Sequence, residues 1–409
     1  MRQKIAFVSH TYMEPATRTK LVYMAKRENV RFIAPSSYPT SYGWRDLDIT
    51  GNSGPHIWTY PIHFLHFKRT STRWFLRSRD LGFASFQPDI IHVENEPHSW
   101  ITSQVLLYRG LFTPRSKVVV FTWDNLAVEG QGTKARLLEY LSIYNRRLVD
   151  FFICGNSAGR DILLARGIPP QRVDVVPQWG IDPEVFYPYP PEQRAACRLR
   201  LGLSESEFAI GFVGRLVEEK GILDLLRATE RLRFGGKQAP AIVLAGSGNL
   251  EEAVRSRCAD LHLKLVRVPP CSYQDVAEVM NALDVFVLPS QSRPFWKEQF
   301  GHVVIEAMAC GVPVIGSDSG AIPDVIGDAG LVFHERDHEQ LFGCLRSCMH
   351  SDGLRSTLRN KGLRRVLDNF TNSVIADRTL QIYDRLKSLD DAGRVVPRTS
   401  DKQISCARL

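Results

Sequence analysis

Ten short runs of β-branched, aliphatic and aromatic residues recur along the chain, separated by stretches with helical spacing. KIAFVS (4–9), DIIHV (89–93), KVVVFTW (117–123), DFFICG (150–155) and VDVVP (173–177) form a first set. FAIGFVG (208–214), AIVLAG (241–246), LKLVRV (263–268), DVFVLPS (284–290) and VPVIGS (312–317) form a second. Continuous apolar runs of this length suit strands buried on both faces, and the intervening helices supply the crossovers that parallel pairing needs. The pattern predicts an α/β chain of two doubly wound, Rossmann-like domains. Between the sets, PEVFYPYPPEQR (183–194) carries four prolines and reads as a linker, which sets a first domain at 1–187 and a second at 188–370. In FTNSVIADRTLQIYDRLKSL (370–389), Ile375, Leu380, Ile382, Tyr383 and Leu386 form a helical stripe. A final helix is expected at 371–389, followed by a polar, disordered tail at 390–409.

The length of 409 residues and a 44% hydrophobic, 23% charged composition support a core in each half. No run reaches the roughly 18–20 apolar residues that span a bilayer, and MRQKIAFVSHTY is too short in apolar character for a signal peptide. The expected location is cytoplasmic. Eight scattered cysteines without a C-x2-C pair point to packed, reduced thiols, including Cys344 and Cys348 at helical spacing. Residues 1–189 carry 23 Lys and Arg against 16 Asp and Glu, leaving 29 against 28 for the remainder. The first half therefore holds almost all of the net +8, which suits an anionic partner, either a phosphorylated ligand or the inner face of a membrane. No nucleic-acid recognition motif accompanies it.

Two segments carry chemistry. In GFVGRLVEEKG (211–221), a strand ends in a glycine turn at Gly214, and Arg215 and Lys220 follow before a helix. A guanidinium and an ammonium at a strand end can clamp a diphosphate through charge-assisted hydrogen bonds. Taken alone, the plainer reading is two solvated cations paired with Glu218 and Glu219. Neither this turn nor Gly-Ser-Gly at 246–248 completes G-x-G-x-x-G, so a nicotinamide dinucleotide site is poorly supported.

In KEQFGHVVIEAMACGVPVIGSDSG (297–320), Glu298 lies in a loop after a strand, Gly301 opens a helix, and Glu306 falls on its second turn. Free amides at the helix start suit a phosphate. Carboxylates flanking a phosphate pocket make electrostatic sense when they accept hydrogen bonds from hydroxyls, so the expected ligand is a phosphate flanked by sugars.

The spacing Glu298-x7-Glu306, the turn GRLVEEKG, the string LAGSGNLEE, and in the first half PDIIHVENEP and LVDFFICGNSAGRDILLARGIPPQRVDVVPQWGIDPEVF together resemble glycosyltransferase family 4. That resemblance implies a GT-B fold whose last helix crosses back onto the first domain, and a retaining transfer from a nucleotide diphosphate sugar without cofactor or metal. It implies that Arg215 and Lys220, beside Gly214, hold the donor diphosphate. Glu306 would bind the ribose hydroxyls and Glu298 a hydroxyl of the transferred sugar. Backbone at Phe300, Gly301, His302 and Val303 would lie near sugar and phosphate, and Pro270 and Cys271 near the base, leaving UDP-, GDP- and ADP-linked donors open.

The chain departs from the family in the loop after its first strand, where SHTYMEPATRTK replaces a paired-glycine turn. This loop offers His10, Thr11, Arg18 and Lys20 to donor or acceptor. Glu94, Asn95 and Glu96 stand where many members have a histidine, with Glu94 expected to face the cleft, and Trp123, Asp124 and Asn125 form a further strand-end loop on the acceptor side. Asp46-Leu47-Asp48 has D-x-D spacing but follows no strongly apolar strand, so it is read as no metal site, and the histidines at 56, 63 and 66 lack a ligand framework.

From His56 to Arg79 the chain alternates cations, among them Arg69, Arg73 and Arg77, with aromatics such as Trp58 and Trp74. This segment is either a membrane-facing helix with its arginines on one side or part of the first domain's core. The reading is a metal-independent retaining hexosyltransferase for polysaccharide, glycolipid or glycosylated metabolite. A nucleotide-sugar epimerase of related fold and a non-catalytic sugar-nucleotide-binding protein are its rivals.

Overall fold

A computed structural model describes residues 2–40, 43–50, 55–64, 74–126, 133–232, 239–270 and 272–394. In chain order its strands are β1 (Lys4–Ser9), β2 (Asn29–Pro35), β3 (Ser37–Thr40), β4 (Gly43–Asp46), β5 (His56–Tyr60), β6 (Ile62–Phe64), β7 (Trp74–Leu76) and β8 (Ile90–Glu94). There follow β9 (Lys117–Thr122), β10 (Phe151–Cys154), β11 (Val173–Val175), β12 (Ala209–Val213), β13 (Ala241–Ala245), β14 (Leu265–Val268), β15 (Val285–Leu288), β16 (Val314–Ser317) and β17 (Leu331–Phe333).

All ten runs that the sequence marks as strands are strands. They build two parallel sheets, ordered β11-β10-β9-β8-β1-β2-β5 and β14-β13-β12-β15-β16-β17. The fold is GT-B, two Rossmann-like α/β units. Each order reverses once, between β1 and β8 in the first sheet and between β12 and β15 in the second. At such a point the loops leaving two adjacent strands diverge to opposite faces and open a crevice at the carboxyl ends. Those two crevices decide where a ligand can sit.

Three strands of these two sheets escaped the sequence reading for local reasons, and the two-stranded pairs β3-β4 and β6-β7 were not marked either. Arg31 and Pro35 dilute β2, β5 is an edge strand with no buried residue, and β17 has only three residues. The linker is shorter than its prolines suggest, because Pro191 opens helix Pro191–Arg200. At a first helical position the missing N–H removes no hydrogen bond. The final helix runs Asn372–Arg394, past the expected end at 389, so residues 390–394 belong to it and not to the expected disordered tail. Residues 395–409 lie outside the described residues.

That helix returns to the first half. Ile375, Ala376, Leu380, Ile382, Tyr383 and Leu386 share a buried cluster with Ile5, Phe7, Leu21 and Phe32, and Tyr383 Oη lies 2.6 Å from His92 Nδ1. The two chain crossings between the halves touch each other: Ile181 N donates to Phe370 O, Asn372 N to Ile181 O, and Gly180 N to Asn372 Oδ1. Gly180 has no room for a side chain, because a Cβ there would stand 1.9 Å from Phe370 O. Gly180→Ala should cost about 3 kcal/mol, the upper end for overpacking, seen as a lower urea midpoint at unchanged slope. An unaltered midpoint would mean that this junction yields without strain.

Candidate active site

The crevice of the second sheet collects the strongest candidates. After β12 the chain turns through Gly214, passes Arg215 and reaches Lys220 in a short 3-10 turn, Glu218–Lys220. Gly221 closes the turn with φ 66°, and a Cβ on it would lie 1.8 Å from Pro289 O. Only glycine lets this loop press onto the one leaving β15. From that second loop Glu298 reaches back. Its Oε2 accepts from Lys220 Nζ at 2.5 Å and from Ser290 Oγ at 2.8 Å. Both charges are largely buried, with side-chain exposures of 16% and 10%, and Lys220 Nζ also sits 5.1 Å from the centre of the Trp296 ring. Arg215 is different: it is half-exposed and pairs with Glu219 at 3.4 Å, as the plainer reading of its turn held. An exposed pair of this kind is worth about 0–1 kcal/mol, so an anionic ligand can replace it cheaply.

Gly301 precedes helix His302–Ala309, and a Cβ on Gly301 would lie 3.7 Å from Glu298 Cγ. The carboxylate therefore lies beside the helix start. The amides of Gly301, His302 and Val303 donate to no acceptor among the described residues, which leaves a positive helix end open to an anion. Phe300 is buried. His302 stacks on Trp179 at 4.2 Å, and burial pushes its imidazole down to about 4, so it is neutral at physiological pH. One turn on, Glu306 accepts no hydrogen bond among the described residues, and burial raises its carboxyl to about 7. It is not the solvated helix position that its sequence context alone would suggest. Pro270 stands exposed after β14, and Cys271 lies outside the described residues.

In the first sheet the crevice residues divide into a buried set and an accessible set. Glu94 does not face the cleft. Its side chain is buried and accepts from Ser9 Oγ (2.9 Å), Tyr12 Oη (2.9 Å) and Gln178 Nε2 (2.7 Å), with Lys20 Nζ at 3.5 Å. Lys20 is itself buried and donates to Gln178 O. Arg18 is spent on the carbonyls of Tyr12, Met13 and Asp48. The expectation that Arg18 and Lys20 meet a ligand is therefore corrected: desolvation ties both into internal bonds. Gln178, which the sequence did not single out, is the hub, since it also donates to Thr11 Oγ1 and accepts from Trp123 Nε1.

The accessible set borders the second half. His10 is half-buried, lies 3.5 Å from Asn95 Nδ2 and packs on Tyr38 and Trp74; burial lowers its imidazole to about 4. Glu96 accepts from Trp123 N and Thr122 Oγ1. Burial, then the neighbouring Asp124, push its carboxyl well up, and His98 stands 3.6 Å from Asp124. Asn125 donates to Glu298 O at 3.1 Å, Gln299 to Trp123 O and Asn156 to Gln299 O. The Trp123 ring meets Phe300 and His302. These contacts bring the strand-end loops of both sheets to one cleft.

Two other expectations change. Residues 74–76 are strand β7 paired with β6, so Arg77 follows a strand and shares no helix face with Arg73, which lies outside the described residues with Arg69. Trp74 is buried, and Trp58 packs against Arg31 and Phe86. Asp48 accepts from Thr50 in a local turn.

Residues 194–365 match the family model for glycosyl transferases group 1, and residues 14–179 that for a glycosyl transferase 4-like domain. A D-inositol 3-phosphate glycosyltransferase of Mycobacterium tuberculosis is 35% identical over 255 residues, 59% of this chain and 49% of that protein. A GDP-mannose-dependent monoacylated α-(1-6)-phosphatidylinositol monomannoside mannosyltransferase of Corynebacterium glutamicum is 29% identical over 206 residues, 50% of this chain and 54% of that one. The chain thus spans about half the length of these curated relatives. Anabaena HepE in complex with UDP superposes with a TM-score of 0.69 at 17% identity, covering 94% of this chain and 100% of HepE.

The buried cluster around Glu94 yields a stability test. Lys20→Met leaves Glu94 without its cation and should cost about 3–5 kcal/mol, the range for breaking a buried pair from one side. Lys20→Met with Glu94→Gln should recover part of that in urea denaturation. A double variant less stable than Lys20→Met alone would show that the pair is not what holds the crevice floor.

Proposed function

We propose, since the chain belongs to glycosyltransferase family 4, that it moves a hexosyl unit from a nucleotide diphosphate sugar to an acceptor hydroxyl with retention of anomeric configuration. The observation that carries this reading is the Lys220–Glu298 pair standing at the switch point of the second sheet beside the open helix start at Gly301. A cation, free amides and a sugar-sized hydrogen-bond acceptor converge there. Residues 188–370 would hold the donor and residues 1–187 the acceptor. UDP bound to HepE and GDP-mannose used by the mannosyltransferase relative both support a nucleoside diphosphate donor; the proposal covers UDP-, GDP- and ADP-linked sugars.

In this reading the diphosphate enters between Arg215, Lys220 and the amides of 301–303. Arg215 gives up its weak pair with Glu219, and Lys220 turns toward the departing phosphate while keeping contact with Glu298. These donors stabilise the charge that grows on the leaving oxygen, and the amides among them are fixed in place by the helix before the donor binds. Glu298, fixed by Ser290, orients the sugar through its hydroxyls. No protein nucleophile is required: the acceptor attacks from the side the diphosphate leaves, and the departing phosphate oxygen takes the acceptor proton. Asp124, Asn125 and Glu96 line the acceptor approach, with His10, Thr11 and Asn95 deeper in the same crevice. The leaving-group charge is met by protein cations and amides, so transfer should persist in EDTA; loss restored by Mn²⁺ or Mg²⁺ would contradict this.

Two further measurements test the residue roles. Lys220→Ala and Arg215→Ala should each lower kcat/KM about 10- to 150-fold, as for losing a charged hydrogen bond of about 1.5–3 kcal/mol. Glu298→Gln should reduce kcat more than nucleotide affinity, with Glu306→Gln doing the reverse; unchanged kinetics in the cation variants, or the opposite split, would remove these residues from the site. The second measurement uses protons. Glu306, raised to about 7 and unpartnered, gains donors when ribose hydroxyls bind, which lowers its pKa. Nucleoside diphosphate binding at pH 7 should then release about half a proton from this group, read by calorimetry in buffers of differing ionisation enthalpy. The release should vanish in Glu306→Gln. Persistence of the full release there would place the ribose elsewhere.

A further inference from the structure

The positive first half suits an anionic surface, yet Trp58, Tyr60 and Trp74 of segment 56–79 pack against that half's core. Besides Trp44, Ile49 and Tyr187, five exposed apolar side chains of that half lie together on two helices. On helix Trp100–Phe112, Leu107 and Leu111 are 59% and 64% exposed; on helix Thr133–Leu148, Leu137, Tyr140 and Tyr144 are 59%, 70% and 61% exposed. Spacings of three and four place the second set on one helix face, and the two helices pack against each other. Apolar groups so exposed on adjoining helices mark an interaction surface more than a solvated one.

The charge around this face selects the partner. Helix Trp100–Phe112 contains no acidic residue, and helix Thr133–Leu148 contains one, Glu139, which is off the apolar stripe and pairs with Arg146. Three residues beyond Tyr144, Arg147 continues the stripe and borders a cleft of about 420 Å³. Arg109, Lys117 and Arg172 also line it, against Asp150 as the one carboxylate among the lining residues. Arg172 and Arg109 bond there to neutral carbonyls, of Asp150, Val149 and Ser116, so their charge is not cancelled; Lys117 lies 3.6 Å from Asp150.

We propose that this helix pair docks the first half onto an anionic phospholipid bilayer, with Leu107, Leu111, Leu137, Tyr140 and Tyr144 at headgroup depth and the cleft at Arg147 taking a lipid phosphate. Tyrosine and leucine flanked by arginine is the composition that the bilayer interface favours, and the surplus charge of the first half supplies the attraction. The face is separate from the donor crevice, so lipid binding and nucleotide binding fail independently.

The test is vesicle co-sedimentation of the full chain, with nucleoside diphosphate affinity measured in parallel. Wild type should sediment with phosphatidylglycerol–phosphatidylcholine vesicles at low salt, much less with phosphatidylcholine alone, and less again at physiological ionic strength, where screening acts within about 8 Å. Arg147→Gln should weaken partitioning about fivefold, the effect expected of one cation near the surface. The triple variant Leu137→Ser, Tyr140→Ser, Tyr144→Ser should abolish it with nucleotide affinity intact. Leu199→Ser, at an exposed leucine of the second half, should bind vesicles as wild type does. The proposal is overturned if wild type ignores anionic vesicles at low salt or the triple variant still sediments. It is equally overturned if that variant loses self-association in the ultracentrifuge while keeping lipid binding, which would make the face a contact between copies.

Discussion

Parallel pairing is the constraint on which this structure depends. Every connection must cross back over a face, so each sheet reverses its strand order at a single place, β1 beside β8 and β12 beside β15. Both reversals put polar strand-end residues at the rim of a crevice. Because the last helix, Asn372–Arg394, packs on the first half and the crossings at Ile181 and Asn372 bond to each other, the two crevices meet in one cleft. The Asn125, Gln299 and Asn156 hydrogen bonds across it tie first-half loops to the chain at Glu298 and Gln299.

The two crevices use charge in opposite ways. In the first, Lys20 and Glu94 neutralise each other out of solvent, and the side chains of Ser9, Tyr12 and Gln178 satisfy what remains of the carboxylate. Burial pushes Glu94 up and Lys20 down, while each partner opposes the other's shift; the result is a rigid floor rather than a reactive group. In the second, the Lys220–Glu298 pair keeps a small exposed edge, Arg215 is held by a weak surface contact, and Glu306 has no hydrogen-bond partner among the described residues. Groups left with unspent hydrogen-bonding capacity are those a ligand can reward, and they cluster where the helix amides are also open.

Much of the fold was legible because buried parallel strands must be continuously apolar, and all ten runs of that kind became strands. β2, β5 and β17 were not, since a charged residue, an exposed edge or a length of three weakens the pattern below what a single sequence can carry. At the crevice of the second sheet, Arg215, Lys220, Glu298 and Glu306 could be picked out because glycine turns and a helix start surround them. Ser290 and Trp179 carried no comparable signal: their roles arise from packing across loops, 2.8 Å from Glu298 and 4.2 Å from His302. The same limit explains Glu94, Arg18 and Lys20. A polar residue at a strand end reads alike whether it meets solvent or another buried charge, and only the tertiary partners decide.

In the proposed reaction, the Lys220–Glu298 crevice binds a nucleotide diphosphate sugar and breaks its anomeric bond with retention. Slow hydrolysis without an acceptor tests this most directly, with α-linked UDP-, GDP- and ADP-sugars followed by proton NMR of the anomeric signal before mutarotation. One nucleotide class should be hydrolysed, the α-sugar should appear first, and Lys220→Ala should suppress the signal. First appearance of the β-sugar, or hydrolysis that survives Lys220→Ala undiminished, would contradict it.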